Sequence, residues 1–329
     1  MCNLHCLHCR AKAPQKVPLI EGDRLEYLLN ELEKLSVGLI TLSGGEVLTR
    51  KDAILLARKA VEHGMRVRIQ TNGLLLSEDN IRALKEAGIC NIGTGLDGVS
   101  DTTYNYLRQK EGAFKTLLNN IEIAKAQGMK MSVECVITPN NLPELDNIID
   151  LADNIGIDLF LARMALPISY NYPNELLLSK EDYKSALSLI ADKTQQKGHM
   201  ILNSQDPLYV VYNEPLRSKI IGKYGDLITS GGCIGGCTAG INMFYLNPLG
   251  DVYPCSFLPV KAGNIFEQPL DEIWETAEVF QLLRNRENLE GKCGKCEYTY
   301  ICGGCRARAL FLGSGIMGED PYCLKFSAP

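Results

Sequence analysis

The stretch Val37-Gly-Leu-Ile-Thr-Leu-Ser-Gly-Gly-Glu46 contains the pattern on which the fold of the first half of the chain rests. Its short apolar run predicts a buried strand, and the glycines that follow predict a tight turn at the strand end. Residues 22–35 and 51–63, on either side, carry apolar side chains at helical spacing. This order of helix, strand, turn and helix is typical of a parallel α/β sheet.

The same alternation continues to about residue 165. Apolar runs and glycine stops predict further strands at 66–70, 91–96, 130–137 and 157–164 and helices at 77–87, 113–127 and 142–155. Strands separated by single helices predict an α/β fold, a partial TIM barrel of the (β/α)6 type, whose functional residues lie at the carboxyl ends of the strands. Those ends carry Ser43-Gly44-Gly45-Glu46, Thr71-Asn72-Gly73 and Asp97-Gly98.

Composition restricts the class of protein. The chain has 329 residues, of which 46% are apolar, yet no apolar run reaches the roughly 18 residues that span a bilayer. The first residues form no apolar secretory segment. The net charge is −5, with basic and acidic residues mixed along the chain. We therefore expect a cytoplasmic protein that binds neither membranes nor nucleic acid.

The cysteines form two groups at opposite ends of the chain. Of 13 cysteines, three lie within residues 2–9 and eight within residues 233–323. Secreted disulfide-rich domains are short and densely cross-linked, whereas clustered cysteines in a chain of this size indicate metal ligands.

The first group, Cys2, Cys6 and Cys9, has the spacing C-x3-C-x2-C. A closed [4Fe–4S] cluster takes four thiolates, so three thiolates predict a cluster with one iron left open to another ligand. The alternative is a Cys3His zinc site completed by His5 or His8.

The second group ends in the spacing C-x2-C-x5-C-x2-C-x17-C. Its members are Cys233, Cys237, Cys255, Cys293, Cys296, Cys302, Cys305 and Cys323. A zinc ribbon is the alternative, but ribbons pair their knuckles about 15–20 residues apart, and the number of cysteines exceeds one zinc site. The spacing therefore favours iron–sulfur clusters.

The first cysteine group, followed by Gly44-Gly45-Glu46 at a strand end, resembles the radical S-adenosylmethionine (SAM) superfamily. The resemblance implies that Cys2, Cys6 and Cys9 hold a [4Fe–4S] cluster whose open iron binds SAM. It also implies cofactor-binding roles near SAM for Gly44, Gly45, Glu46, Thr71, Asn72 and Asp97. Glycines let the ligand approach the backbone, and a carboxylate suits an ammonium group. Relatives often carry Ser-Leu-Asp-Gly where this chain has Gly95-Leu96-Asp97-Gly98, so the serine hydroxyl is missing.

The second cysteine group is similar to the SPASM extension of radical enzymes, which implies one or two auxiliary [4Fe–4S] clusters. One would be held by Cys293, Cys296, Cys302 and Cys323. The other would be held by Cys237, Cys255 and Cys305. Its fourth ligand would be Cys233, or one of its iron atoms would be left open, or this second cluster would be absent. The family's usual spacing has three residues between its fifth and sixth cysteines, and here there are two.

The resemblance implies an activity: reductive cleavage of SAM to a 5′-deoxyadenosyl radical that abstracts a hydrogen atom, with electrons from a donor such as flavodoxin or ferredoxin. Residues 291–323 resemble enzymes that decarboxylate or deacetylate haem precursors, so we expect a tetrapyrrole substrate. One alternative is a maturase that oxidises or crosslinks a ribosomally made peptide. Another is a non-catalytic iron–sulfur or zinc protein.

We therefore predict three parts: a radical SAM partial barrel at 1–165, a bridging, substrate-facing segment at 166–232, and an auxiliary cluster domain at 233–329. Family members normally have a strand just before the cysteine loop. Here Met1 directly precedes Cys2, so we expect the barrel to lack its first strand.

Overall fold

A computed structural model describes residues 2–9, 20–167, 169, 172–196, 199–229, 233 and 235–325. Contacts divide the chain into two compact units. Unit 1 comprises Met1–Leu161 with Lys197–Leu202, and unit 2 comprises Ala162–Gln196 with Asn203–Pro329. The three predicted domain boundaries remain a prediction.

The main sheet has six strands in chain order, and β1 to β4 pair in parallel. The strands are β1 Leu39–Leu42, β2 Arg66–Gln70, β3 Asn91–Gly95, β4 Lys130–Ile137, β5 Leu159–Met164 and β6 Ile201–Ser204. Within the described residues β1 and β6 form the two edges, so the sheet is open. The predicted α/β class and partial barrel are confirmed.

One helix precedes β1, and five further helices connect the strands up to β5. They are α1 Asp23–Lys34, α2 Ala53–Glu62, α3 Glu78–Glu86, α4 Asp101–Arg108, α5 Ala113–Ala126 and α6 Leu145–Asn154. The side chains of Ser77 and Ser100 cap α3 and α4 by accepting hydrogen bonds from backbone N–H groups in the first turn. Short 3-10 helices lie at Val47–Thr49 and Leu142–Glu144.

The core of unit 1 lies between one face of the sheet and these helices. On β2, Val67 and Ile69 are buried, whereas Arg66, Arg68 and Gln70 alternate with them on the opposite face. Helix α2 packs on β2 and α5 packs on β4. The opposite face of β2 is therefore polar, which is unusual for a barrel interior packed with branched apolar side chains.

Unit 2 contains α7 Lys180–Thr194, α8 Tyr209–Tyr212, α9 Glu214–Thr229 and a small antiparallel sheet. The sheet consists of β7 Tyr245–Leu246, β8 Asp251–Tyr253 and β9 Gly263–Asn264. The remaining helices are α10 Leu270–Thr276, α11 Glu278–Arg284, α12 Gly291–Gly294 and α13 Arg306–Phe311, with 3-10 helices at Asn174–Leu176 and Arg286–Asn288. Helix α9 is kinked at Tyr224.

Strand β6 and helices α4, α8 and α9 differ from the sequence-based expectations, because none of them was predicted. Helices α10 and α11 are separated at Ala277, whose backbone is extended. In the part of the chain that the structure describes, no helix is long and apolar enough to cross a bilayer.

Candidate active site and cluster ligands

The first cysteine loop, residues 2–9, is anchored on the end of α4. The backbone N–H of Leu7 donates a hydrogen bond to the carbonyl oxygen of Leu107 at 2.9 Å, and the N–H of Cys9 donates to the carbonyl of Cys6 at 3.1 Å. Leu4 is buried, whereas the three cysteines are partly exposed. The loop thus presents Cys2, Cys6 and Cys9 on one short, anchored turn.

Glu46, Thr71 and Asn72 form one buried hydrogen-bonded group where β1 and β2 end. Oε1 of Glu46 accepts hydrogen bonds from the backbone N of Leu48 at 3.0 Å and from Oγ1 of Thr71 at 2.6 Å. Oε2 accepts from the backbone N of Asn72 at 2.6 Å. Three of the predicted cofactor-binding residues are therefore in direct contact.

The Glu46 group is tied to the cysteine loop and lies beside an accessible turn. Nδ2 of Asn72 donates a hydrogen bond to Oδ1 of Asn3 at 2.6 Å. Gly44 is exposed with a φ of 137°, and a Cβ built on it would have no atom within 4 Å. This backbone conformation favours glycine, and the open space around it leaves room for a ligand. Gly45, between Gly44 and Glu46, is partly exposed.

Asp97 is fully buried, and both oxygens of its carboxylate contact other groups of the protein. Its Oδ1 accepts a hydrogen bond from the backbone N of Val136 at 2.8 Å, and its Oδ2 forms an ion pair with Nη2 of Arg108 at 2.5 Å. Nε2 of His8 lies 3.8 Å from Oδ2. The structure therefore places Asp97 beside the cysteine loop, as the partner of a buried arginine.

Burial controls the protonation of the groups around Asp97. It lowers the pKa of His8 to about 4, so His8 is neutral at pH 7. Burial also lowers the pKa of Arg108, but Asp97, Tyr104 and Cys6 together raise it by more, so the net shift is upward. For the Cys6 thiol, burial raises the pKa while the Arg108 guanidinium opposes that shift.

Four cysteines of the second group affect one another electrostatically. Burial raises the pKa of the Cys302 thiol, and so do Cys293 and Cys323 nearby. Burial likewise raises the pKa of Cys323, with Cys293 and Cys296 acting in the same direction. These are the four residues for which the SPASM resemblance implies one auxiliary cluster.

Cys237 and Cys305 form a second association. Burial raises the pKa of Cys305 to about 12, and Arg308 opposes this shift while Cys237 adds to it. The backbone N of Cys237 donates to the carbonyl of Cys302 at 3.0 Å. Cys233 and Cys255 are partly exposed.

Backbone N–H groups point at the sulfur atoms of several cysteines, each at an N to Sγ distance of 3.4 Å. The donors are Phe257 to Cys255, Tyr298 to Cys296, Gly304 to Cys302 and Asp320 to Cys293. Hydrogen bonds to ligating sulfurs are a means by which proteins tune iron–sulfur clusters. The donor set and its surroundings thus fit cluster ligation.

No three His, Cys, Asp or Glu side chains of the described residues converge on a point where one ion could bind. In a [4Fe–4S] cluster each thiolate binds a different iron, so cluster ligands do not converge in that way.

Two buried arginines lie near the cysteines, and one of them, Arg286, was not identified as a site residue from the sequence. Arg286 donates to the carbonyls of Thr299 and Cys237, and a Cβ on Gly303 would lie 1.2 Å from Nη1 of Arg286. Arg306 donates to the carbonyl of Gly318 at 2.7 Å, and its Nη2 lies 3.9 Å from Sγ of Cys293. The glycine pair before Cys305 was the available signal, since Gly303 makes room for a guanidinium.

Comparison with known proteins agrees with this arrangement. The family model of the radical SAM superfamily matches residues 1–152, and the SPASM iron–sulfur cluster-binding domain matches residues 237–297. Among solved structures, Streptococcus suis SuiB bound to the precursor peptide SuiA has a TM-score of 0.77 at 17% identity, over 98% of this chain and 73% of SuiB. At this identity the match shows a shared fold.

Two curated relatives align over nearly the whole chain. AdoMet-dependent heme synthase of Methanosarcina barkeri is 32% identical over 98% of this chain and 93% of its own length. Mycofactocin maturase MftC of Mycobacterium ulcerans is 27% identical over 100% of this chain and 86% of its own. Both are enzymes, which argues against a non-catalytic metal protein. The chain therefore belongs to the radical SAM superfamily, as an enzyme with a SPASM domain that uses [4Fe–4S] clusters and S-adenosylmethionine.

Proposed function

We propose that this enzyme modifies the side chains of a haem-precursor tetrapyrrole by decarboxylation or deacetylation. The observation that carries the proposal is the relationship to AdoMet-dependent heme synthase over 98% of the chain. The mycofactocin maturase is less similar, at 27% against 32% identity. The comparison thus favours a tetrapyrrole, and a ribosomally made peptide is the second candidate because the maturase also aligns over the whole chain.

In this proposal Cys2, Cys6 and Cys9 hold the first cluster. When bound, the cluster supplies the electron that cleaves S-adenosylmethionine into methionine and a 5′-deoxyadenosyl radical, which removes a hydrogen atom from the substrate. The loop's contacts with α4 fix the positions of the three thiolates before any ligand arrives. An anchored loop lowers the cost of ordering the site on binding.

Glu46 has one acceptor position left for the ammonium group of S-adenosylmethionine. A carboxylate offers about four lone-pair sites, and three are used by the donors of Leu48, Thr71 and Asn72. These bonds hold the carboxylate in one orientation beside the open turn at Gly44. Thr71 and Asn72 therefore act through Glu46, by orienting it, and Asp97 acts by holding Arg108.

For the auxiliary clusters we propose Cys293, Cys296, Cys302 and Cys323 as one ligand set and Cys237, Cys255 and Cys305, with Cys233, as the other. The mutual electrostatic influence of the first four supports the first set. The influence of Cys237 on Cys305 supports part of the second.

The polar face of the sheet suits a substrate that carries carboxylates. Nη2 of Arg68 lies 3.0 Å from Oγ of Ser132 and 3.5 Å from Oε1 of Glu134. A Cβ on Gly93 would lie 2.6 Å from the same nitrogen, so the glycine gives the Arg68 guanidinium its place across the strand. Arginine binds carboxylates with a planar, two-point geometry, which fits the propionate groups of a haem precursor.

We further infer a cytoplasmic enzyme that receives electrons from a donor such as flavodoxin or ferredoxin and binds no nucleic acid. The net charge of −5 supports the last point.

The reaction class has a direct test. After anaerobic reconstitution, dithionite and S-adenosylmethionine are expected to yield 5′-deoxyadenosine, measured by chromatography. Replacing Cys2, Cys6 and Cys9 together by alanine is expected to abolish it, because no thiolates remain to hold the first cluster. A variant that produces as much 5′-deoxyadenosine as the wild type would show that the ligands lie elsewhere.

The substrate has a separate test, in which the reconstituted enzyme receives an iron porphyrin with free propionates. We expect 5′-deoxyadenosine and a lighter porphyrin, detected by mass spectrometry. The matched control is the methyl ester of the same porphyrin, which we expect to remain unchanged because it has no carboxylate to bind or lose. If the porphyrin with free propionates stays unmodified while S-adenosylmethionine is still cleaved, the substrate assignment fails and the reaction class stands.

A further inference from the structure

The guanidinium of Arg108 lies between the first cysteine loop and a buried carboxylate. Arg108 is the last residue of α4. Its Nη1 lies 3.8 Å from Sγ of Cys6, and its Nη2 lies 2.5 Å from Oδ2 of Asp97. The side chain also stacks over the ring of Tyr104 at 5.5 Å from the ring centroid. Asp97 and Tyr104 thus orient the Arg108 guanidinium toward the sulfur of Cys6.

Gly95 makes this placement possible. A Cβ built on Gly95 would lie 1.7 Å from Nη2 of Arg108. Gly95 does not have a positive φ among the glycines of the described residues, so its backbone conformation does not require glycine. A glycine within a strand often marks the close approach of another group. The guanidinium therefore occupies the space that a side chain would take at this position.

The groups around Arg108 determine the character of its contact with Cys6 Sγ, which is a charge-assisted hydrogen bond. Asp97 balances the positive charge of Arg108, and Nε2 of His8 lies 3.8 Å from the same carboxylate oxygen. Burial raises the pKa of Tyr104, so its hydroxyl is neutral. The Arg108 guanidinium is the one cation described within hydrogen-bonding distance of Cys6 Sγ.

Hydrogen bonds to ligating sulfurs stabilise the more negative, reduced form of an iron–sulfur cluster and raise its reduction potential. We propose that Arg108 is a positioning residue that acts through Cys6 to raise the reduction potential of the first cluster and to retain it, and that Gly95 is required because it gives the guanidinium its place. The inference depends on Cys6 being a cluster ligand and is independent of the substrate.

The test is a redox titration of the reconstituted holoenzyme followed by electron paramagnetic resonance. The first cluster is identified by the change of its signal when S-adenosylmethionine is added. In Arg108→Gln we expect a midpoint potential more negative by at least about 59 mV, which is a tenfold change in a one-electron equilibrium, and a lower iron content. Arg108→Lys keeps the positive charge but not the planar guanidinium. Its midpoint potential is expected to lie between those of Arg108→Gln and the wild type.

Two further variants separate the sulfur contact from effects on folding. Gly95→Ser is expected to displace the guanidinium and to shift the potential in the same direction, whereas Gly38→Ala, a glycine with no atom within 4 Å of its Cβ position, is expected to match the wild type. Arg108→Gln leaves Asp97 buried without its cation, so the double variant Asp97→Asn with Arg108→Gln provides a folded test if the single variant unfolds.

The double variant is compared with Asp97→Asn alone, and equal potentials in these two folded variants would overturn the inference. If Arg108→Gln shifts the potential and Gly95→Ser does not, the role assigned to Gly95 is wrong. These outcomes are distinct from failure of the reaction class, in which the wild type itself would form no 5′-deoxyadenosine.

Discussion

Replacing Arg308 by methionine is expected to lower the free energy of unfolding of unit 2 by at least about 3–5 kcal/mol, or to prevent that unit from folding. Arg308 is 1% exposed and pairs with two buried carboxylates, Asp206 at 3.0 Å and Asp320 at 2.5 Å. It also lies close to the rings of Tyr183 and Tyr322, with Cζ 4.8 Å and 5.4 Å from the two ring centroids. Removing the cation leaves two like charges buried together, which costs more than the lost packing.

Tryptophan fluorescence is a suitable measurement because the chain has a single tryptophan, Trp274, in α10 of unit 2. Urea unfolding of the cluster-free protein, followed at this residue, reports on the unit that contains Arg308. The matched control is Lys261→Met in the same unit, where the lysine side chain is 47% exposed and pairs with Asp251, so we expect only a small change in the free energy of unfolding. An equally small change for Arg308→Met would mean that the two carboxylates are protonated or hydrated in the folded unit.

Replacing Glu46 by glutamine is expected to weaken the binding of S-adenosylmethionine by about 10- to 100-fold, because a charge-assisted hydrogen bond contributes about 1.5–3 kcal/mol. Replacing Glu46 by alanine should in addition destabilise unit 1, since the buried donors of Thr71 and Asn72 lose their acceptor at a cost of about 1–3 kcal/mol each. Equilibrium dialysis of the anaerobic, reconstituted enzyme measures the affinity.

Glu86→Gln provides the control for the loss of one negative charge, since Glu86 is exposed on α3, and its affinity for S-adenosylmethionine should equal that of the wild type. Affinity retained in Glu46→Gln would show that the carboxylate does not meet the ammonium group. It would then have only the structural role that its three hydrogen bonds already give it.

Local patterns in the sequence were sufficient for most of unit 1. Strands β2 and β4 begin and end where the apolar runs predicted, because each is bounded by glycine or turn residues. Strand β6 was missed because Ile201–Ser204 has only two apolar residues, and its alternation of apolar and polar residues is too short to predict a strand. Helix α4 was missed because its polar and β-branched residues have weak helix propensity, and its buried Tyr104 and Leu107 decide the fold through tertiary contacts.

For the candidate site, too, the sequence was sufficient to predict some residues and not others. The cysteines and Glu46 could be predicted, since their spacing and their position at a strand end are properties of the local sequence. The roles of Arg108 and Asn3 could not, because they depend on contacts with Cys6 and Asn72 that join residues far apart in the chain. The periodicity of apolar side chains predicts local elements, and it does not predict a contact between residues about a hundred positions apart.

The anchoring of the cysteine loop also fixes an order of assembly. The loop is synthesised before the residues that it contacts, which are Asn72, Leu107 and Arg108. It therefore cannot take up its final shape until β2, β3 and α4 have been synthesised and have packed. Iron delivered before that point meets three thiols on an unstructured peptide, so maturation of the first cluster should follow the folding of this half of the enzyme.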